Sequence, residues 1–419
     1  MNEIIRSVQI EDPSQGKTKK DGFFDLHIED GKIKGFEKTS QVLKENQNTV
    51  IVPGLVDLHT HLREPGFEYK ETIETGSAAA AAGGFTTILC MANTKPVNDN
   101  PYVTQYIRSQ AEKFSKVRVE IVGALSKGLK GEQLAEIGKM REAGIVAVSD
   151  DGIPVMNSYL MRKALDYCKA FDLPIISHAE DANLVGQGVM HEGYHSNCLG
   201  LRGIPSESEE ILVARDIALA RLTGGRVHFA HISTWQAIEH IRRAKEEGLN
   251  ITCEVTPHHL MFTHEDVREY DSNYKMAPPL RTQKDTEVLL TALADGTIDC
   301  IATDHAPHAP RDKDVLFEYA ANGVVGLETA WSVGALLVEQ GKISLKRLVE
   351  LLSTTPSRIM KLGSGSLKPG SNADFTLIDL AAKWTPDKTR LHSKSKNSPF
   401  IGKELKTEIL ATYVGGKKI

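Results

Sequence analysis

Eight short apolar or β-branched runs recur between Val56 and about Asp304, and helical patterns separate most of them. They read "LVDLHTH", "FTTILCM", "VEIVGAL", "IVAVSDD", "PIISHAE", "VHFAHIS", "ITCEVTP" and "IDCIATD". Segments such as "SYLMRKALDYCKAF" and "SEEILVARDIALARLTG" carry helical spacing between them. Eight strands alternating with helices predict an α/β fold, a (β/α)8 TIM-type barrel. A doubly wound open sheet would need a Gly-rich phosphate loop after its first strand, and this chain has none there. The ends of the chain read differently. "FFDLHIEDGKIKGFEK", "NADFTLIDL" and "ILATYVGGKKI" alternate with period two around Gly turns. We therefore expect a small β-sandwich domain from residues 1–53 and 364–419, flanking a barrel over 54–363. His27 and His392 fall in that terminal part and read as structural.

Composition excludes several classes of function. The formal net charge is −5 and no basic stripe is present, which argues against nucleic acid as a partner. The five cysteines are dispersed without a CxxC pair, so a reducing compartment fits better than a disulfide framework. The N-terminus lacks the basic start and apolar segment of a signal peptide. The uncharged run from Thr75 to Thr94 is rich in Gly, Ser and Thr and reads as a helix turning into a strand, not as a membrane span. The expected location is cytoplasmic, away from membranes.

The chemistry falls at the ends of the strand-like runs. The first run ends in His59 and His61, with Arg63 two residues on. On an extended strand these alternate positions share one face. The second run leads to Asn93, the fourth ends in Asp150 and Asp151, the fifth in His178 and the sixth in His231. The eighth ends in Asp304, with His305 and His308 just beyond. Barrel active sites are built at the C-terminal ends of the strands, so these groups converge in space. Neutral imidazole and carboxylate suit Zn²⁺. Four His and two Asp exceed the needs of one tetrahedral ion and suit two ions sharing a carboxylate. Taken singly, each residue has a bland reading: an HxH pair is a weak signal, and Asp304 could cap a loop. Strand alternation alone does not choose between Asp150 and Asp151. His228, three residues before His231, is expected to point away from the site. His258 and His259 are expected at the rim in a loop-ordering role. His191, His195, His240 and His264 read as helix or loop surface.

The motifs "PGLVDLHTHLREPG", "MANTKPV", "SDDG", "SHAED", "HFAHIST", "EVTPHHL", "PPLR", "ATDHAPH" and "KSKNSPFIG" span nearly the whole chain. As a set they resemble the amidohydrolase superfamily, and more closely the dihydroorotases of the class I type. The resemblance implies reversible hydrolysis of L-dihydroorotate to N-carbamoyl-L-aspartate, in pyrimidine biosynthesis. It implies two Zn²⁺ per chain. His59 and His61, with Asp304 close by, would hold one ion. His178 and His231 would hold the other. Asp151 and a hydroxide would bridge them, where many amidohydrolases use a carboxylated lysine. Asp304 would be the catalytic general base and then acid. Arg63, Asn93 and His308 would hold the ring carboxylate of the substrate, a task that suits a guanidinium. Ala277, Asn322 and Gly323 complete the implied substrate-binding set. Two departures stand out. "APPLR" replaces the "NPPLR" of many relatives, so Ala277 lacks a side-chain amide, and "MANT" replaces "MPNT". The segment "HAPHAPRDKDVLFEYAANGVVGLETA" reads as a loop over the site.

Two rival readings follow from the same resemblance. An allantoinase or hydantoinase would share the barrel and the HxH pair, but usually carries the lysine bridge and binds substrates without this carboxylate. A non-catalytic scaffold would have lost metal ligands, whereas this chain keeps the set. For partners, the resemblance implies a small-molecule substrate and allows a homodimer and association with aspartate transcarbamoylase.

Overall fold

The structure, a computed structural model, describes residues 2–419. Eight parallel strands form one sheet whose neighbours follow chain order. They are β1 (Leu55–Thr60), β2 (Phe85–Cys90), β3 (Arg118–Gly123), β4 (Ile145–Val148), β5 (Ile175–Ser177), β6 (Val227–Phe229), β7 (Ile251–Val255) and β8 (Cys300–Ile301). The ring closes between β8 and β1. Thr60 bridges His305 in parallel. The Asp57 carboxylate accepts from Thr303 N at 3.1 Å and Thr303 Oγ1 at 2.6 Å. Each expected run contributes a strand, so the barrel read from the periodicity is the barrel observed.

The strands run apolar because both faces are covered. One face packs on the surrounding helices, with Phe85, Ile121, Val148 and Phe229 in a single large core. The other fills the barrel interior, where Val56, Leu58, Leu89, Val122, Ile176 and Ala230 meet. Ile359 and Met360, from the helix Thr355–Met360, join this inner cluster. The interior is therefore packed, and the polar groups are left to its C-terminal mouth.

Both termini build a second sheet. Its seven strands run in the order Lys417–Lys418, Leu405–Val414, Phe375–Trp384, Thr49–Pro53, Asn2–Ile10, Phe23–Glu29 and Lys32–Thr39. It is antiparallel except where Asn2–Ile10 pairs in parallel with Thr49–Pro53. The alternating burial of Phe23–Glu29 shows why period two was visible there. Leu26, Ile33, Ile51 and Phe375 give this sheet its own core, and Phe375 stacks on Tyr413 at 4.4 Å between ring centroids.

Asp374 joins the two parts. Its carboxylate takes Arg118 Nε at 2.8 Å and Nη2 at 3.2 Å from the start of β3, and Gly415 N at 2.7 Å from the terminal sheet. Asp374 is buried and Arg118 is half-exposed. Thr412 Oγ1 adds a 2.6 Å bond to Ala81 O across the same seam. The chain also crosses the barrel mouth. Segment 391–400 laces the loop after β1 to the loop after β8: Ser395 Oγ donates to Lys70 O, and Asn397 Nδ2 donates to Ala306 O and Gly323 O. Among the described residues, no helix is long and apolar enough to cross a membrane.

Replacing Asp374 by Ala removes charge-assisted bonds from a buried carboxylate and leaves Gly415 N without its acceptor. The expected loss is about 2–4 kcal/mol, read as a lower denaturant midpoint. An unchanged midpoint would show that the seam is held by its apolar contacts alone.

Candidate metal centre and active site

The mouth of the barrel gathers four imidazoles and two carboxylates, all buried. His59, His61 and Asp151 form one triad of donor atoms within 4.8 Å of one another, and Asp151, His178 and His231 form a second. Asp151 belongs to both. Its Oδ1 lies 3.2 Å from His59 Nε2, 3.5 Å from His178 Nδ1 and 3.4 Å from His231 Nε2, and its Oδ2 lies 3.3 Å from His61 Nε2. Asp304 Oδ1 stands 3.0 Å from His61 Nε2 and 3.6 Å from His59 Nε2. Asp150 does something else. Its carboxylate accepts Leu125 N, Ser126 N and the Ser126 hydroxyl, which ties the end of β3 to the end of β4.

The donor set fits a cation. His59 Nε2 and Asp151 Oδ1 are buried without a hydrogen-bond partner, although they lie close together. Burial resists charging here, yet the carboxylates of Asp151 and Asp304 hold the His59 imidazole well above its usual range. For His178, burial is again outweighed, by Asp151 and Glu180, and the value rises to about 10. The carboxylates thus draw positive charge into the mouth. A divalent metal meets the same demand by displacing those protons.

A second layer aims the imidazoles. Glu254, fully buried on β7, accepts His59 Nδ1 at 2.8 Å on one oxygen and His228 Nε2 at 2.9 Å on the other. Burial pushes its carboxyl up, but the two histidines bring it down to about 2. A carboxylate on the far nitrogen of a ligating imidazole fixes its tautomer and orientation. Asn93 Oδ1 does the same for His61 Nδ1 at 2.9 Å. Glu180 lies 3.4 Å from His178 Nε2 and 3.7 Å from the buried Arg281. Glu254, Glu180 and Arg281 were not singled out from the sequence. The signal for Glu254 was present: an acid inside the apolar run "ITCEV" must have a buried partner.

The backbone departs from the strand pattern where the site is built. Arg63 has φ 63°, His231 φ 33° and Asp304 φ 47°, in the left-handed region that side chains rarely adopt. Arg63 does not share a face with His59 and His61 by strand alternation, because β1 ends at Thr60. It reaches the mouth from the following loop, with Nε on Pro307 O at 3.2 Å. The count back from His231 also changes meaning. His228 points into the barrel to Glu254, one step behind His59, and not away from the centre. His191 and His264 were expected at the surface but are buried, while His195 and His240 are partly exposed.

A cationic cradle lies beside the centre. Lys70 can only donate, so its 3.1 Å contact assigns His308 Nδ1 as an acceptor. The proton is then on Nε2, which donates to Asn322 O at 2.8 Å. Arg63 Nη2 lies 3.3 Å from that same nitrogen. Burial first, then the charges of Arg63, Lys70 and Lys313, keep His308 neutral. Lys70 was missed in the sequence, hidden in the loop "REPGFEYKE". Asn322 meets the cradle through its carbonyl. Gly323 is engaged by the protein itself: N–H on Lys275 O at 2.9 Å, and C=O accepting from Asn397 and Lys313. Its φ of 130° and a would-be Cβ 2.5 Å from that of Ala306 explain the glycine. Ala277 is half-buried, in the segment between Lys275 and Pro278, whose carbonyl accepts from His259 Nε2 at 3.0 Å. His258 and His259 are both buried, in the short helix Pro257–Met261.

Changing Glu254 to Gln keeps the shape but removes the charge that His59 and His228 share. Metal affinity is expected to fall about 10–100-fold, measured as metal retained against a graded chelator. Unchanged retention would mean that Glu254 supports the barrel interior only.

Residues 48–237 match the family model "Dihydro-orotase-like", and residues 212–419 match "Amidohydrolase family". The dihydroorotase of Anaeromyxobacter dehalogenans (strain 2CP-1 / ATCC BAA-258) is 50% identical over 99% of this chain and 96% of its own length. That of Geobacter metallireducens is 49% identical over 100% of this chain and 99% of its own length. Among solved structures, the L-hydantoinase of Arthrobacter aurescens superposes with a TM-score of 0.88 at 26% identity, covering 99% of this chain and 95% of that one. Full-length identity near one half, together with the barrel and its polar mouth, leads to one conclusion: the chain belongs to the dihydroorotases, a family of cyclic amidohydrolases.

Proposed function

We propose that this protein is a zinc dihydroorotase that holds two ions per chain and interconverts L-dihydroorotate and N-carbamoyl-L-aspartate in pyrimidine biosynthesis. The observation that carries the two-metal reading is the place of Asp151 in both donor triads. His59, His61 and Asp304 would hold one ion and His178 and His231 the other, with Asp151 common to both. Bound there, the ions would polarise the ring amide carbonyl and make water nucleophilic near neutral pH. Imidazole-rich sets of this kind suit Zn²⁺.

The rest is work for the chain's own side chains. Arg63, with Lys70 adding charge, takes the substrate carboxylate, and neutral His308 holds Lys70 through Nδ1 while its Nε2 proton goes to Asn322 O. Asn93 still has its Nδ2 to offer, beyond a long 3.4 Å contact with Asp151 O. Ala277 and Asn322 border the ring through backbone groups. Asp304 accepts a proton from the attacking water as the new C–O bond forms. It returns that proton to the ring nitrogen as the C–N bond breaks. Cyclisation retraces the path. The five free cysteines, four of them buried, favour a reducing, cytoplasmic setting.

The defining experiment measures metal content and turnover of L-dihydroorotate on one preparation, beside Asp151→Ala and Arg63→Gln. Two zincs with turnover are expected in the parent. Asp151→Ala should lose both. Arg63→Gln should keep the metal and lose preference for the carboxylated ring over hydantoin. Metal with turnover of hydantoin alone would overturn the substrate assignment.

The two directions should also respond oppositely to pH. Without metal, burial raises the Asp304 carboxyl, but His59, His61 and His231 outweigh it and hold the group below the usual carboxylate range; bound ions would supply that positive charge in place of the imidazole protons. Hydrolysis needs Asp304 ionised, so its rate rises with pH to a plateau. Cyclisation needs Asp304 protonated, so its rate falls as pH rises. Parallel profiles in the two directions would remove Asp304 from this role.

A further inference from the structure

A second group of metal-type donors lies outside the barrel mouth. His195 sits on the helix Tyr194–Leu199, in the long connection after β5. His264 and Glu265 open the short turn His264–Asp266, held by Thr263 as its cap. One donor atom from each of the three lies within 4.8 Å of the others. Only the two triads at the mouth and a trio inside the barrel, His228, Glu254 and Cys300, share that property among the described residues. The inner trio is buried throughout, and one Glu254 oxygen is already committed to His59.

The outer group resembles the mouth in how its rings are placed. The rings of His195 and His264 stand 4.6 Å apart at 71°. Those of His178 and His231 stand 4.7 Å apart at 80°. Glu265 Oε1 lies 3.7 Å from His195 Nε2, close to the 3.4–3.5 Å between Asp151 and the His178–His231 pair. His264 is only 8% exposed, and its Nδ1 is buried without a hydrogen-bond partner. The same deficit marks His59 and Asp151. His195 and Glu265, by contrast, are partly open to solvent, which leaves an entry path and room for water. His191 packs its ring 5.0 Å from His264, but its Nδ1 faces the Arg281 guanidinium at 3.5 Å and it is not among the donors that converge here.

We propose that His195, His264 and Glu265 form a peripheral site for one divalent first-row metal ion, with Zn²⁺ as the probe. Two imidazoles and a carboxylate suit Zn²⁺, and solvent completes the four-coordinate shell. Occupancy ties the helix Tyr194–Leu199 to the turn His264–Asp266. The site is independent of the reaction at the mouth, so its test does not need turnover.

The experiment is equilibrium dialysis of the intact, zinc-loaded protein against rising free Zn²⁺, with metal and protein measured together. His195→Gln and Glu265→Gln are suitable variants, because both side chains are partly exposed and neither lies at the mouth. The parent should take up one more equivalent than the His195→Gln protein, whose affinity at this position falls at least about tenfold. The same additional equivalent should persist in Asp151→Ala, which separates this site from the central one. Thermal stability should rise with Zn²⁺ in the parent and not in the variants. Equal zinc uptake by the parent and by both variants across the titration would overturn the proposal.

Discussion

Burying Asp151 among four imidazoles is the constraint on which the rest of this structure turns. A carboxylate taken out of water is costly unless every lone pair finds a positive or donating partner. Here His59, His61, His178 and His231 converge on that one group from three different strands, and Asp304 crowds the same space. Such a cluster is tolerable only if the imidazoles cannot swing away. Glu254, Asn93 and Glu180 hold the far nitrogens of His59, His61 and His178. The packed barrel interior beneath them leaves no space for retreat. Order in the centre is therefore a property of its surroundings as much as of its own residues.

The same logic extends outward to the cationic cradle. Arg63, Lys70 and His308 come from two loops that have no regular secondary structure of their own at those positions. They are kept in place by a third segment, 391–400, from the far end of the chain. Asn397 is central to this arrangement: its Oδ1 accepts His308 N at 3.0 Å, while its amide nitrogen holds the carbonyls of Ala306 and Gly323. The terminal region thus serves two ends. Part of it builds a sheet docked on the barrel through Asp374. Part of it returns to the mouth and holds the loops that carry Lys70 and His308.

Fold and activity separate cleanly in this protein. The barrel superposes on that of an L-hydantoinase with high coverage at 26% identity. The scaffold alone would admit either enzyme. The mouth itself carries a carboxylate, Asp151, shared by two donor triads, and a guanidinium, Arg63, beside it. Full-length identity near one half is with named dihydroorotases.

Much of this was legible in the chain itself. The eightfold alternation determined the barrel, because period-two and helical patterns report burial one element at a time. The rule that barrel chemistry sits at strand C-termini then gathered His59, His61, the Asp150–Asp151 pair, His178, His231 and Asp304 into one expectation. Tertiary structure alone decided the rest. Asp150 and Asp151 are adjacent and chemically identical; the resemblance pointed to Asp151, and the capture of Asp150 by Leu125 and Ser126 is the physical reason their tasks differ. The directions of Arg63, His228 and His231 depend on left-handed residues and strand ends, which no periodicity encodes. Glu254, Lys70 and Asn397 act through partners 195, 238 and 89 residues away in sequence. A linear pattern carries local burial; it does not carry which distant groups will share one buried charge.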